Sequence, residues 1–505
     1  MSTMKTNKSV IIIGGGVGGL CTAARLLKNG YSVTVYEKEP IVGGRANRIT
    51  QDGYTFDTGP TLLMMTDILY DTFEYCGKNL NDYLELIQLE PNYQVKFADG
   101  TQITVSSNLP KFAHELAKID SRAPEQFYRF FADVAEIYRL SRGGFIDKNF
   151  NSLTDFINLR SGLKLLQKRG LLSLWKFVSR YFDDDRLRQL FSFQSMYLGV
   201  SPYEAPAVYS VISYMETGLG IWYPKGGMYS LSQALEQLVK DLGGKIECNT
   251  LIDQIEINSN QVTGVKLANG ITINSDIVVC NADLVYAYKN LLPSTVKLKS
   301  LGRKAEDLKQ ASSALLFYWG VDGDLPGMLH HNVYLCADFK NNLDEILKAK
   351  QLPSDPSFYT YIPTKTDPLL APKGKSVMYI LVPVPNLQRE NDWEKGITKI
   401  RKQVLSRLKS EFGQVIEKNI ETEAIFTPHD FETKFNLTAG SAFGLTHHFM
   451  QSGYFRPHNV ERSVKNLYFV GASTYPGGGI PMVTLSAKLV VERILGDNSI
   501  HKHEK

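Results

Sequence analysis

The chemistry-bearing residues of this chain begin with a crowd of glycines. Val10-Ile11-Ile12-Ile13 leads into Gly14-Gly15-Gly16-Val17-Gly18-Gly19, so Gly14, Gly16 and Gly19 meet the G-x-G-x-x-G spacing. The spacing predicts a buried strand, a tight turn and a helix over about Val17–Asn29, stopped by Gly30. Gly14 permits the turn, Gly16 lets a pyrophosphate approach the backbone, and Gly19 lets the helix pack on the strand. The helix N-terminus offers unpaired N–H groups and positive potential to the phosphates. A second strand, Ser32–Tyr36, runs into Glu37, where a carboxylate would accept hydrogen bonds from a ribose and repel a 2′-phosphate. Strand, turn, helix, strand and acid in that order predict a dinucleotide site that disfavours NADP.

Two later stretches separate FAD from NAD. Gly43-Gly44-Arg45 follows the acidic strand closely, which suits a second backbone approach to the cofactor with a guanidinium near phosphate or flavin. Phe56-Asp57-Thr58-Gly59-Pro60 reads as a strand end and turn, with Gly59 and Pro60 on the cofactor side. At the far end of the chain, the strand Asn466–Val470 meets Gly471-Ala472 and then Gly477-Gly478-Gly479-Ile480-Pro481-Met482, with a helix expected over about Val483–Leu495. A helix N-terminus there would face the isoalloxazine edge that gains charge on reduction. Gly471, Ala472, Gly478, Ile480, Pro481 and Met482 are therefore candidate flavin contacts. Glycine-rich strand-to-helix turns at both ends of the chain imply one domain assembled from both termini.

The elements that must position these turns can be read along the chain. Ser230–Leu242 has helical apolar spacing and is stopped by Gly243-Gly244. Lys245–Glu247, Gln261–Leu267 and Ile277–Cys280 read as strands, and Asn269-Gly270 as a hairpin turn. The expected architecture is α/β. A Rossmann-type FAD-binding domain is built from discontinuous segments, 1–90, 225–295 and 456–505. A mixed α+β substrate domain, 91–224 and 296–455, carries a helical membrane-facing part. At 505 residues, two intertwined domains are expected.

Composition narrows the function. With 43% hydrophobic and 21% charged residues the chain is an ordinary globular protein, and a net charge of +4 over this length gives no ground for nucleic-acid binding. The 26 Tyr and 25 Phe could line an apolar cavity or fill a large core. Five scattered cysteines without a CxxC pair fit inert thiols in a reducing cytoplasm. Lys5 and Lys8 before the apolar run imitate a signal peptide, but the glycine spacing and the lack of a small-x-small cleavage site argue against one. No run of 18 apolar residues suggests a spanning helix. The histidines, including His330-His331 and His447-His448, form no HExxH or i,i+4 pair, so no metal is expected. Ser161–Phe182 is basic and amphipathic, a pattern that suits either an anionic membrane surface or a helix packed on the core.

Across nearly its whole length the chain resembles the bacterial carotenoid desaturases, which include phytoene and dehydrosqualene (diapophytoene) desaturases. The matching stretches are Ile11–Gly19, Val42–Arg45, Phe56–Pro60, Leu190–Tyr197, Gly220–Gly227, Phe426–Phe431, Gly440–Gly444, Tyr454–Asn459 and Asn466–Lys488. The block from Pro476 to Lys488 is the most specific. Two features depart from it. Tyr475 stands where the family often has His, and Ala205–Val208 with Ile221–Tyr223 is similar to the oxidases of diapocarotenoid ends.

The resemblance implies an FAD enzyme that desaturates an apolar isoprenoid, phytoene toward neurosporene or lycopene. The C30 precursor, or the ends of diapocarotenoids, are the neighbouring alternative. It also implies a cytoplasmic protein at the inner face of the cell membrane, and oxygen or a quinone as electron acceptor. Asp155 is the implied acid–base candidate because the family tends to carry an acidic residue in that segment. A helix cap or surface carboxylate is the other reading. Flavin amine oxidases and prenyl-binding chaperones share the fold and remain more distant alternatives.

Overall fold

The computed structural model describes residues 8–150, 152, 172–296, 298, 304–413 and 416–503, with side chains to 497. Three separate stretches of chain meet in one five-stranded parallel sheet, in the order Leu467–Phe469, Ile277–Cys280, Ser9–Ile13, Ser32–Tyr36, Lys245–Glu247. Ser9–Ile13, Ile277–Cys280 and Leu467–Phe469 are buried on both faces, which is why they read as apolar runs, whereas Ser32–Tyr36 alternates and the edge strand Lys245–Glu247 exposes both its charged residues. Val10, Ile12, Val33, Val35, Ile277 and Val279 face a helical layer made by Val17–Lys28, Tyr229–Asp241 and Ile480–His503. Ile11, Ile13, Val278 and Cys280 face a three-stranded antiparallel sheet, Ile252–Asn258, Gln261–Leu267 and Thr272–Asn274. Gly270 makes the expected hairpin turn at φ +89°. The last helix starts three residues earlier than its apolar spacing suggests. Pro481 falls in its first turn, where a backbone N–H would have no intrahelical partner.

The second layer system is a seven-stranded sheet in the order Ile420–Phe426, Ser313–Asp322, Lys375–Val384, Phe358–Tyr361, His331–Tyr334, Tyr93–Lys96, Gln102–Val105. All pairs are antiparallel except Tyr93–Lys96 with His331–Tyr334. Its strand Ser313–Asp322 is buried on both faces. Leu315, Phe317, Trp319 and Val321 pack on the helix Trp393–Phe412. Ala314, Leu316 and Tyr318 point to the other side, which faces the helices Ala123–Ser141 and Val211–Gly218 across a cavity.

The aromatic residues divide between core and cavity. Phe112, Phe127, Phe130, Phe182 and Phe191 form a packed cluster, with Phe182 and Phe191 stacked at 4.6 Å. Tyr138, Tyr197, Tyr209 and Tyr359 line the cavity. Residues 161–171 of the basic amphipathic segment lie outside the described residues. In the part that follows, Leu174, Phe177 and Val178 are buried against the protein, so their apolar side is not presented to a membrane. Among the described residues, no helix is long and apolar enough to cross a membrane.

Candidate cofactor and substrate site

The first strand ends at Gly14, whose φ of +95° allows the turn, and the Gly14 N–H donates to the Tyr36 carbonyl across the parallel pair (2.8 Å). A side chain at Gly19 would meet the Gly14 carbonyl oxygen at 2.3 Å. This glycine serves the fit of helix to turn and does not line the cavity. Glu37 is buried. One carboxylate oxygen accepts from the Gly15 N–H (2.7 Å) and the other from the Glu39 N–H (3.0 Å). Burial pushes its carboxyl up, and the two backbone donors pull it back toward the charged form. Each oxygen keeps a lone pair for an outside donor.

The second glycine pair docks on the first turn. The Gly43 N–H donates to the Gly15 carbonyl (2.9 Å), and a side chain at Gly44 would lie 3.4 Å from the Gly16 Cα. Arg45 follows, with its Nη1 donating to the Ala442 carbonyl (2.9 Å), and its own carbonyl presses so closely on Gly59 that a Cβ there would stand 2.2 Å away. Asn281 is a site residue that motif reading missed. Its amide donates to the Gly14 carbonyl (3.1 Å) and fills the space left by Gly16, Gly18 and Gly471, tying the two glycine turns together. The sequence marks Ile277–Cys280 as a strand, but its parallel pairing with Ser9–Ile13, which puts Asn281 beside Gly14, emerges only in the fold.

The C-terminal turn is held from behind by Arg456, which is fully buried. Its guanidinium donates to the carbonyls of Ala472 (2.6 Å), Thr474 (3.1 Å) and Gln451 (3.2 Å). Asp283 accepts from the Ser473 hydroxyl (2.8 Å) and the Thr438 hydroxyl (2.6 Å), fixing the same loop from the other side. Gly477 and Gly479 adopt φ of +150° and +97°, and the helix Ile480–His503 starts directly after them. His447 packs on this loop, its Nε2 accepting from the Gly478 N–H (3.4 Å). Burial, with the Arg456 charge beside it, holds the imidazole neutral.

All these parts open on one cavity of about 960 Å³. It is lined by Gly14, Gly16, Glu37, Gly43, Gly44, Arg45, Gly59, Pro60, Gly471, Ala472, Gly478, Ile480, Pro481 and Met482, so of the expected contacts only Gly19 stands behind the wall. Asp155 lies outside the described residues. Past the C-terminal loop the walls turn apolar. Leu316, Val333 and Leu381 come from the seven-stranded sheet, and Val211, Ile212 and Met215 from the facing helix. The volume is near the upper end of the range for small-molecule sites, roughly 300–1,000 Å³.

These residues fit FAD. A bare backbone turn and helix N-terminus suit the pyrophosphate, Glu37 suits the ribose, and a second helix N-terminus stands at the other end of the glycine-lined region. Where the cavity continues there is room for an apolar chain.

Comparison with known proteins agrees with this geometry. The family model described as "Flavin containing amine oxidoreductase" matches residues 17–495. The chain is 41% identical over 496 residues to a zeta-carotene-forming phytoene desaturase of Myxococcus xanthus, covering 98% of this chain and 95% of that one. It is 39% identical over 500 residues to a 4,4'-diapophytoene desaturase (4,4'-diaponeurosporene-forming) of Staphylococcus aureus strain bovine RF122 / ET3-1, covering 97% and 99%. An oxidoreductase structure from Methanosarcina mazei shares the fold with a TM-score of 0.66 at 18% identity, covering 96% of this chain and all of that one. The chain therefore belongs to the flavin-containing amine oxidoreductases and, among them, to the carotenoid desaturases.

Proposed function

We propose that this enzyme desaturates phytoene, carrying it toward neurosporene or lycopene, with FAD as the resident oxidant. The observation that carries the reading is the single cavity that joins the glycine-lined cofactor region to an apolar chamber. FAD, when bound, supplies the acceptor for a hydride from an allylic carbon. The protein's part is to align a flexible chain, exclude water and bear the positive charge that develops on the substrate. Arg456 and the Ile480 helix start bring positive potential to the C-terminal loop, on the side where charge would build on a reduced ring. The relative from Staphylococcus aureus, at 39% identity, supports the C30 precursor as a second substrate reading.

Phe449 lines the cavity and is also 46% exposed, so it marks an opening, and Met450 beside it is 43% exposed. An apolar rim of this kind suits a protein that draws its substrate from the inner face of the cell membrane. Oxygen or a quinone would then reoxidise the flavin.

Pigment analysis tests the reading. The enzyme is expressed in one bacterial host that accumulates phytoene and in another that accumulates dehydrosqualene. Coloured polyenes in the first host are the expected result, and colour only in the second would assign the enzyme to C30 substrates. No new chromophore in either, from protein with bound flavin, would overturn the desaturase reading.

A further inference from the structure

Desaturation removes a proton as well as a hydride, and the wall must take it. One polar chain reaches the wall next to the cofactor-side loop. Thr61 directly follows Gly59-Pro60, and its hydroxyl lies 2.8 Å from the Tyr359 hydroxyl. Tyr359 Oη in turn lies 2.6 Å from Nδ1 of His331. Thr61 and Tyr359 both line the cavity, whereas His331 stands behind them at 1% exposure. The arrangement is set by the sheet. His331 pairs with Tyr361 and Val333 with Tyr359, which puts His331 and Tyr359 on a diagonal of neighbouring strands, with rings 5.8 Å apart.

We propose that Tyr359 accepts the substrate proton and passes its own to His331, so that the Thr61–Tyr359–His331 chain is the proton acceptor of the reaction. The proposal rests on the desaturase reading. As the hydride departs with its electron pair to the flavin oxidant, the neighbouring C–H bond breaks and its electrons become the new C=C bond. The released proton bonds to Tyr359 Oη, the old Tyr359 O–H bond breaks, and that proton bonds to His331 Nδ1. Tyr359 ends neutral and His331 ends as imidazolium. The step requires Nδ1 to start as a bare acceptor with the ring proton on Nε2. Burial, with His330 beside it, favours this neutral starting form and opposes the imidazolium, so the charged ring is a short-lived acceptor state that gives its proton back along the same chain. Among the described residues Nε2 has no hydrogen-bond partner, and it is buried, so Nδ1 is the nitrogen through which the ring exchanges its proton. The proton returns by the same chain, through Thr61 to water, when the cavity empties.

The test uses the flavin-loaded enzyme and the variants Tyr359→Phe, His331→Gln and their combination, each checked for flavin content and melting temperature. With ¹⁵N-histidine labelling, wild type should show a neutral imidazole with an unprotonated, hydrogen-bonded Nδ1. That signal should shift in Tyr359→Phe and vanish in His331→Gln. A protonated Nδ1 in wild type would overturn the relay. Polyene formation should fall about 100-fold in each single variant and no further in the double. Deuterium at the proton-losing carbon, silent in wild type, should then slow the variants. Variants that keep the wild-type rate and isotope pattern would overturn the relay and leave the desaturase reading intact. A wild-type enzyme inert on both precursors would sink the functional reading and the relay with it.

Discussion

A buried cation without a carboxylate is costly, and among the described residues none pairs with Arg456. Its charge is spread over backbone carbonyls, which turns the cost into a clamp on the loop 472–474. Replacing it by Gln should leave at least one buried carbonyl unmet and destabilise the protein by on the order of 3 kcal/mol. The purified variant should also carry less flavin, with both effects read from denaturant titration and the flavin-to-protein absorbance ratio. Glu216 is the opposite case. It is fully buried, accepts from the Tyr93 hydroxyl (2.8 Å) and the Gln194 amide (3.2 Å), and burial pushes its carboxyl up to about 7. A raised folded-state value means that Glu216 favours the fold fully below about pH 4.5, and that this support is lost as pH rises through about 7. Glu216→Gln should therefore match wild type near pH 4 and exceed it by about 3 kcal/mol at pH 8. Chemical denaturation at the two pH values checks this, and an equal difference at both would refute it.

Among the elements, the glycine turn is where spacing translates most directly into structure. An added methyl at Gly19 would meet a backbone oxygen that cannot yield without opening the turn. Gly19→Ala should lower stability by about 1–3 kcal/mol and weaken FAD binding at least tenfold, read by calorimetry on apoprotein. Gly143, where the same methyl meets nothing within 4 Å, is the matched control, expected within about 0.5 kcal/mol of wild type. Both glycine turns and their helices were legible because local backbone demands are written in local residues. The seven-stranded sheet was not. Ser313–Asp322 is apolar on both faces, one against the helix Trp393–Phe412 and one toward the cavity, so no alternation marks it. The contact of Tyr359 with His331 was equally hidden. It depends on a register between strands 28 residues apart, and adjacent histidines carry no sign of which one will face a tyrosine.

At the scale of the molecule, the parallel sheet cannot be completed by any one stretch of chain. Ile277–Cys280 lies between Ser9–Ile13 and Leu467–Phe469, and the helix Val17–Lys28 packs along Ile480–His503. Leu485, Leu489, Val490, Val491 and Ile494 of that last helix are all buried. At about 2 kcal/mol for each buried side chain, this contributes about 10 kcal/mol, comparable to the whole stability of a typical domain. The same segment carries Gly471 and the loop that closes the cofactor end of the cavity. Cofactor binding and folding of the N-terminal turn should therefore be coupled through the C-terminus. A chain ending at residue 465 should retain the whole G-x-G-x-x-G turn and Glu37, yet bind no FAD and show no cooperative thermal transition. Co-expression of 466–505 as a separate peptide should restore flavin binding in part. A truncated chain that melts cooperatively and binds FAD would mean that the first 465 residues close their own sheet, and would remove the ground for treating the two termini as one folding unit.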